Sequence, residues 1–139
     1  MAPPLTLEIE TILLCDDEPS IRSLVRRLFT RHGYQVLEAQ NGKHALEVAK
    51  SYHGIIHLLL TDVMMPELNG PDLAEQLRAV RPDVRVIFMS ADFTDGLLSS
   101  VDGCPLVQKP FDLTTLLEVV DDSLAQPPKP LRGNLYDRP

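Results

Sequence analysis

Acidic side chains follow two of the apolar runs in this sequence. Asp16 and Asp17 come directly after Thr11–Cys15, and Asp62 comes directly after the apolar run that ends at Thr61. Ionised carboxylates about 5 Å apart repel one another by roughly 3 kcal/mol per pair at an effective dielectric constant near 20. A cation among them relieves this repulsion, and carboxylate oxygens with room for water favour Mg²⁺. If the fold brings the three acids together, they predict a magnesium site.

A hydroxyl and an amine follow two later apolar runs. Ser90 comes after Val84–Met89, and Lys109 comes after Cys104–Gln108. An ammonium group near Asp62, opposite a metal ion, would put positive charge on both sides of that carboxylate. Phosphoryl transfer depends mostly on positioning and charge neutralisation, and a carboxylate can be the nucleophile that forms an aspartyl phosphate. Each residue alone is more often an ordinary turn, cap or surface residue, so the hypothesis depends on their joint placement.

The elements that must position these residues alternate along the chain. Short apolar runs predict five strands, over Thr11–Cys15, Tyr34–Glu38, Ile55–Thr61, Val84–Met89 and Cys104–Gln108. Apolar residues at helical spacing predict helices between them, the first opened by Pro19 and ended by Gly33, and the last N-capped by Asp112. Asn41-Gly42 and Asn69-Gly70-Pro71 predict turns before the second and third helices. Strands that alternate with helices imply a parallel sheet covered on both faces, with ligands at the carboxyl ends of the strands.

Composition limits the class of protein. The chain has 139 residues, 44% of them apolar, which is enough for one domain with a buried core. Lys and Arg number 13 against 20 Asp and Glu, and the net charge of −7 argues against direct nucleic-acid binding by this domain. No uncharged apolar run approaches the ~20 residues that span a bilayer, and the N-terminus lacks the pattern of a secretory signal. Two cysteines are too few for a disulfide framework, so we expect a location in the reducing cytoplasm.

Prolines concentrate at both ends of the chain, where six of the twelve lie. These stretches, residues 1–10 and 126–139, are predicted to be tails outside a domain that spans residues 11–125. The four histidines are scattered without the spacing of a metal site. We therefore expect them to be surface or strand-end residues.

Three motifs occur in order along this domain. They are Ile12-Leu-Leu-Cys-Asp-Asp-Glu-Pro19, Leu60-Thr-Asp-Val-Met-Met-Pro-Glu-Leu-Asn-Gly70 and Lys109-Pro-Phe111. With these motifs the chain resembles the receiver domains of response regulators in two-component signalling, over about residues 11–125. The resemblance implies a doubly wound, flavodoxin-like α/β fold whose five parallel strands have the order 2-1-3-4-5. Among receivers, the chain most resembles those at the C-terminus of hybrid histidine kinases.

The resemblance implies a role for each acidic residue. Asp62 matches the phospho-accepting aspartate, and Asp16 and Asp17 match the acidic pair that positions Mg²⁺. The backbone carbonyl of Met64 would be a further ligand of the ion. A phosphohistidine on a histidine kinase or a histidine phosphotransfer protein would donate the phosphoryl group to Asp62. The acyl phosphate would then switch protein interactions and hydrolyse slowly, so we expect a signalling module and not a metabolic enzyme.

The same resemblance covers the residues at the later strand ends. Ser90 matches the switch hydroxyl, and Lys109 matches the lysine that is usually followed by a cis proline, here Pro110. The chain departs from the family at Leu106, where a switch aromatic is common, and the interval between Ser90 and Lys109 is shorter than usual. Because this interval is rich in glycine and serine, we expect the fourth helix to be short, displaced or absent. Its candidate apolar residues are Leu97, Leu98 and Val101.

Two other functions fit part of this pattern. A dehalogenase-type phosphatase also uses an aspartate nucleophile at a strand end with Mg²⁺, but it needs a second aspartate two residues later, where this chain has Met64. A pseudo-receiver would have the same fold and act as a phosphorylation-independent protein-binding module. Such domains usually lack one of the acids or the lysine, and none is missing here. Mg²⁺-dependent binding of a phosphoryl mimic would separate a working receiver from a pseudo-receiver.

Overall fold

The elements form an alternating series of strands and helices. The computed structural model describes residues 8–91 and 100–127. The strands in this part of the chain are β1 (Thr11–Cys15), β2 (Gln35–Ala39), β3 (Leu58–Asp62), β4 (Arg85–Ser90), β5 (Ser100–Val101) and β6 (Cys104–Gln108). The helices there are α1 (Pro19–Arg31), α2 (Gly42–Ser51), α3 (Gly70–Val80) and α4 (Leu113–Leu124). All five predicted strands are present, and their boundaries differ from the prediction by at most three residues.

Five of the strands form a parallel sheet in the order β2-β1-β3-β4-β6. Since β6 is the fifth parallel strand, this is the predicted order 2-1-3-4-5, and the predicted fold is confirmed. Every residue of β1 and β3 is buried, because helices cover both faces of the sheet. Helices α2 and α3 pack on one face, and α1 and α4 pack on the other. The carboxyl ends of β1, β3, β4 and β6 therefore lie along one edge.

A two-residue strand at the sheet edge differs from the prediction. β5 pairs antiparallel with β6, and Val101 lies opposite Cys104. The intervening Asp102-Gly103 has positive φ angles of 51° and 80°, which is typical of a tight two-residue hairpin turn. Val101 therefore lies in a strand, and the prediction that places it in a helix is wrong. Leu97 and Leu98, the other residues of the predicted fourth helix, lie outside the described residues.

Side-chain caps determine where three of the helices begin. Asn41 and Asn69 each accept a hydrogen bond from the backbone N–H three residues later, at 2.7 Å and 2.9 Å. Asn41-Gly42, predicted as a turn, is therefore the N-cap and first residue of α2. Asp112 caps α4 by accepting from the N–H of Thr114, and this prediction is confirmed.

The predicted tails fall mostly outside the described residues. Residues 1–7 and 128–139 are not described, so the domain boundaries at residues 11 and 125 stay a prediction. Within residues 8–91 and 100–127, no helix has the length and apolar character needed to cross a membrane.

Candidate functional site

The carboxyl ends of four parallel strands bring chemically active residues to one edge of the sheet. Asp16 follows β1, Asp62 ends β3, Ser90 ends β4 and Lys109 follows β6. Carboxylate oxygens of Asp16, Asp17 and Asp62 all lie within 4.8 Å of one another. Asp16 and Asp62 are buried, and Asp17 is exposed. Acids that the sequence places after two separate strands therefore form one cluster.

Lys109 contacts three acidic side chains. Its Nζ atom is 2.8 Å from Asp62 Oδ1, 2.9 Å from Asp16 Oδ2 and 3.4 Å from Glu18 Oε1. The backbone N–H of Lys109 donates to the carbonyl of Ser90 at 2.7 Å. This bond fixes the backbone of Lys109 beside the end of the neighbouring strand β4, and the lysine side chain extends from there to the acids.

Burial and charge have opposite effects on Lys109. The residue is only 8% exposed, and burial lowers the pKa of its ammonium group. Hydrogen bonds and negative charge from Asp62 and Asp16 outweigh burial, so the pKa of Lys109 lies above its ordinary value. Lys109 is therefore a cation at neutral pH. Its peptide bond to Pro110 is cis, as the resemblance implies.

Asp62 has a raised pKa although Lys109 is in contact with it. The pKa of Asp62 is raised from 3.8 to about 7, and burial is the largest cause. The negative charge of Asp16 also raises the pKa, whereas the hydrogen bond and the charge of Lys109 lower it. The three aspartate carboxylates also outnumber the one ammonium group beside them. A further cation at this site would stabilise the ionised form of Asp62.

The first turn of α1 orients Asp16. Its Oδ1 accepts a hydrogen bond from the backbone N–H of Glu18 at 2.9 Å, and its Oδ2 accepts from Lys109. The carbonyl of Asp16 accepts from Nη1 of Arg22 at 2.7 Å. Arg22 in turn pairs with Glu38 at 3.3 Å. The contacts of Glu18 and Arg22 could not be predicted from the sequence, because neither residue belongs to a spacing that indicates a tertiary partner.

Gly70, the first residue of α3, packs against the backbone of Asp62. Its N–H donates to the carbonyl of Val63 at 2.8 Å. A Cβ atom at this position would lie 2.2 Å from the carbonyl oxygen of Asp62, far inside van der Waals contact. Only a residue without a Cβ atom allows the helix to begin this close to the strand end. The sequence Asn69-Gly70-Pro71 predicts the start of the helix but not this contact.

Ser90 and Met64 lie at the same edge of the sheet. Ser90 is half-buried at the end of β4. Met64 lies two residues beyond Asp62, and its side chain points largely into solvent, with 73% of the residue exposed. The N–H of Val63 donates to the carbonyl of Met89 at 2.9 Å, which fixes the direction in which the chain leaves β3. The roles of the Ser90 hydroxyl and the Met64 carbonyl stay predictions.

Both cysteines are buried thiols that form no disulfide. The Cys15 thiol donates to Sδ of Met65 at 3.6 Å, and burial raises the pKa of Cys15 to about 12. The thiol is therefore protonated at neutral pH and is a poor nucleophile.

The oxygen donors of the cluster fit a magnesium ion. Asp16, Asp17 and Asp62 supply hard carboxylate oxygens, and Lys109 compensates only part of their charge. Asp17 is exposed, which leaves room for the water molecules that Mg²⁺ usually retains. The chemistry of the donor set and its excess negative charge both favour a hard divalent cation.

Comparison with known proteins identifies the family. A family model described as "Response regulator receiver domain" matches residues 12–121. The chain belongs to this family. The predicted family is therefore confirmed. Receivers of two-component systems have histidine kinases and phosphotransfer proteins as partners.

Similar receivers occur within larger proteins. The sensor kinase CckA of Brucella abortus (strain 2308) is 34% identical over 117 residues, which are 82% of this chain and 12% of the kinase. The DNA-binding transcriptional regulator NtrC of Azospirillum brasilense is 35% identical over 119 residues, 82% of this chain and 24% of the regulator. The receiver domain of the hybrid histidine kinase CckA matches with a TM-score of 0.71 and 37% identity, covering 82% of this chain and 98% of that structure. This chain therefore spans a quarter or less of these two curated relatives.

Proposed function

We propose that Asp62 of this receiver takes a phosphoryl group from a phosphohistidine and that the acyl phosphate switches the protein interactions of the domain. The observation that carries the proposal is the contact between Lys109 Nζ and Asp62 Oδ1, which are 2.8 Å apart at a buried strand end. Asp16 and Asp17 lie beside Asp62, with carboxylate oxygens within 4.8 Å. The donor would be a histidine kinase or a histidine phosphotransfer protein.

In the transfer step, a carboxylate oxygen of Asp62 attacks the phosphorus atom of the phosphohistidine. The new P–O bond forms as the P–N bond breaks, and the electron pair of that bond goes to the imidazole nitrogen, which then takes a proton. Asp62 is 6% exposed, so few water molecules have to leave its carboxylate before it reacts. Lys109 stabilises negative charge on the phosphoryl oxygens, because its ammonium group lies against the accepting carboxylate.

The remaining site residues support this step. Asp16, Asp17 and Asp62, with the backbone carbonyl of Met64, would hold Mg²⁺. When bound, the ion supplies positive charge to the phosphoryl oxygens. Ser90, at the end of β4, would donate its hydroxyl to a phosphoryl oxygen and so connect the phosphorylated aspartate to a second strand.

The pseudo-receiver and the dehalogenase-type phosphatase fit the residues of this site less well than the proposed phosphoacceptor does. A pseudo-receiver is not favoured, because Asp16, Asp17, Asp62 and Lys109 are all present in one cluster. The dehalogenase-type reaction lacks its second acid, because the side chain at that position is Met64.

The kind of protein that contains this receiver is a separate proposal. We propose a hybrid histidine kinase whose receiver lies in the cytoplasm, and the 34% identity to the sensor kinase CckA supports it. The 35% identity to NtrC supports a transcriptional regulator as the second candidate. The coding sequence on both sides of residues 1–139 distinguishes a kinase domain from a DNA-binding domain.

Phosphorylation of the purified protein tests the role of Asp62. With Mg²⁺ and acetyl phosphate, the wild type is expected to gain one phosphate that is stable to acid and labile to base and hydroxylamine, whereas Asp62→Asn gains none. Lys109→Ala should be labelled about 100-fold more slowly, because the variant lacks the positive charge that Lys109 holds beside the phosphoryl group. Circular dichroism checks that both variants fold. An unlabelled wild type, or wild-type labelling of Asp62→Asn, refutes the assignment.

A further inference from the structure

The Lys109 ammonium group has three acidic side chains within hydrogen-bond distance. A lysine ammonium has three N–H donors and no acceptor. In this structure it meets Asp62 at 2.8 Å, Asp16 at 2.9 Å and Glu18 at 3.4 Å. An oxygen of a phosphoryl group on Asp62 can therefore accept a hydrogen bond from Lys109 only if one of these contacts is released.

The contact with Glu18 is the one that water can replace. The Glu18 side chain is 59% exposed, against 0% for Asp16 and 9% for Asp62. Asp16 and Glu18 are the two partners that remain carboxylates when Asp62 is phosphorylated. Without its ammonium partner, the buried Asp16 would stay desolvated and uncompensated, whereas the exposed Glu18 is solvated by water. The Glu18 contact is also the longest of the three.

The Glu18 side chain does not serve the helix that it precedes. Glu18 is the N-cap residue of α1, a position where Asp, Asn, Ser or Thr side chains often accept from the first backbone N–H groups. Here its side chain makes no cap hydrogen bond. The carboxylate extends to Lys109 instead, 91 positions along the chain. The contact with Lys109 therefore accounts for the position of the Glu18 carboxylate.

We propose that Glu18 occupies the place of a phosphoryl oxygen on Lys109 in the resting receiver and slows phosphorylation of Asp62. The inference rests on the proposed function of Asp62. When Asp62 is phosphorylated, a phosphoryl oxygen accepts the third hydrogen of Lys109, and the Glu18 carboxylate moves into solvent. Until then Glu18 competes for Lys109, and its negative charge repels an anionic phosphoryl donor.

The expected size of the effect follows from Coulomb's law. A carboxylate about 7 Å from a donor phosphoryl group, in water-like surroundings, changes the rate by about threefold per unit of donor charge. For a dianionic donor the effect is about sevenfold. Salt screens it, because the Debye length falls from about 30 Å at 0.01 M to about 3 Å at 1 M ionic strength.

The test measures the rate at which acetyl phosphate phosphorylates Asp62, by intact mass, at saturating Mg²⁺. Glu18→Gln removes the charge and is expected to be about three- to sevenfold faster than the wild type at low salt, with a smaller difference at high salt. Glu18→Asp keeps the charge but shortens the reach to Lys109, so its rate should lie between the two. Glu67→Gln is the matched control, because Glu67 is an exposed acid that lines a recess with Asp17. Its rate should change less than that of Glu18→Gln.

Each outcome separates this inference from the proposed function. A Glu18→Gln rate equal to or below that of the wild type, or a rate equal to that of Glu67→Gln, overturns the role of Glu18. Glu18→Asp at the wild-type rate overturns the competition for Lys109. A wild type that gains no phosphate on Asp62 refutes the proposed function instead. Since Glu18 is exposed, its variants should fold, and thermal unfolding checks this.

Discussion

Replacing Gly70 by alanine would force the start of α3 away from Asp62. The added Cβ atom would lie 2.2 Å from the carbonyl oxygen of Asp62, and real Cβ atoms are essentially never closer than 3.0 Å to such an atom. The backbone of one partner must therefore move by at least the difference, about 0.8 Å. Neither partner is a flexible side chain, so the shift changes the strand end that carries the proposed phosphoacceptor.

The expected cost of Gly70→Ala combines three effects. Overpacking typically costs about 1–3 kcal/mol, and losing the hydrogen bond from Gly70 to Val63 costs about 1 kcal/mol more. The higher helix propensity of alanine offsets up to about 1 kcal/mol. We therefore expect the free energy of unfolding to fall by about 1–3 kcal/mol. A displacement near 1 Å between Asp62 and Lys109 should also slow phosphorylation by about ten- to a hundredfold.

Gly42→Ala is the matched control for this experiment. Gly42 is also the first residue of a helix and also follows an asparagine N-cap. Its added Cβ would meet the Leu68 side chain at 2.9 Å and the Leu68 carbonyl oxygen at 3.0 Å, so a small adjustment suffices. Urea unfolding and labelling by acetyl phosphate measure the two effects. Gly70→Ala with wild-type stability and rate, or with losses no larger than those of Gly42→Ala, would refute the reasoning.

Two further outcomes concern the metal and the pH. Mg²⁺ at a hundredfold excess over its Kd should raise the melting temperature of the wild type by about 5–10 °C. Asp17→Asn should remove most of this shift. Equal shifts of the wild type and Asp17→Asn in scanning calorimetry would count against the metal site. Burial and the hydrogen bond that the hydroxyl donates to Asp121 hold the pKa of Tyr34 above its ordinary value. Above about pH 10 the folded protein therefore keeps a proton that the unfolded chain loses, and stability falls as the pH rises. The free energy of unfolding, measured with urea at about pH 8 and pH 11, should fall less for Tyr34→Phe than for the wild type. An equal fall for both proteins would contradict this.

The alternation of strands and helices and the edge that carries the site could be predicted from local patterns, whereas the strand order was implied by the resemblance to receiver domains. β1 and β3 are entirely buried, so both are continuous apolar runs, and acids at their ends mark where each strand stops. In a parallel sheet these ends share one edge. The convergence of Asp16 and Asp62 then follows from two local signals and one topological rule.

The contacts that orient the site could not be predicted in this way. Glu18 meets Lys109 across 91 positions, and Arg22 meets Glu38 across 16 positions. Such pairs depend on how helices pack against the sheet, which the period of apolar residues does not specify. The β5–β6 hairpin is different, because Asp102-Gly103 is a recognised turn signal. The apolar spacing favours a helix there, but the turn closes a hairpin, so the prediction of a helix at Val101 is wrong.

The charge balance of the cluster links the proposed metal site, the phosphoryl transfer and the role of Glu18. Asp16 and Asp62 are buried beside Lys109, the buried cation of this cluster. Lys109 offsets only part of the effect of burial, so the pKa of Asp62 lies at about 7. A divalent cation at the proposed metal site would supply the missing positive charge. Phosphorylation then replaces a singly charged carboxylate by a doubly charged group, so the demand for positive charge rises while Lys109 remains the same single cation. Lys109 can give more of its positive charge to the phosphoryl group by releasing Glu18, the carboxylate partner that water can solvate.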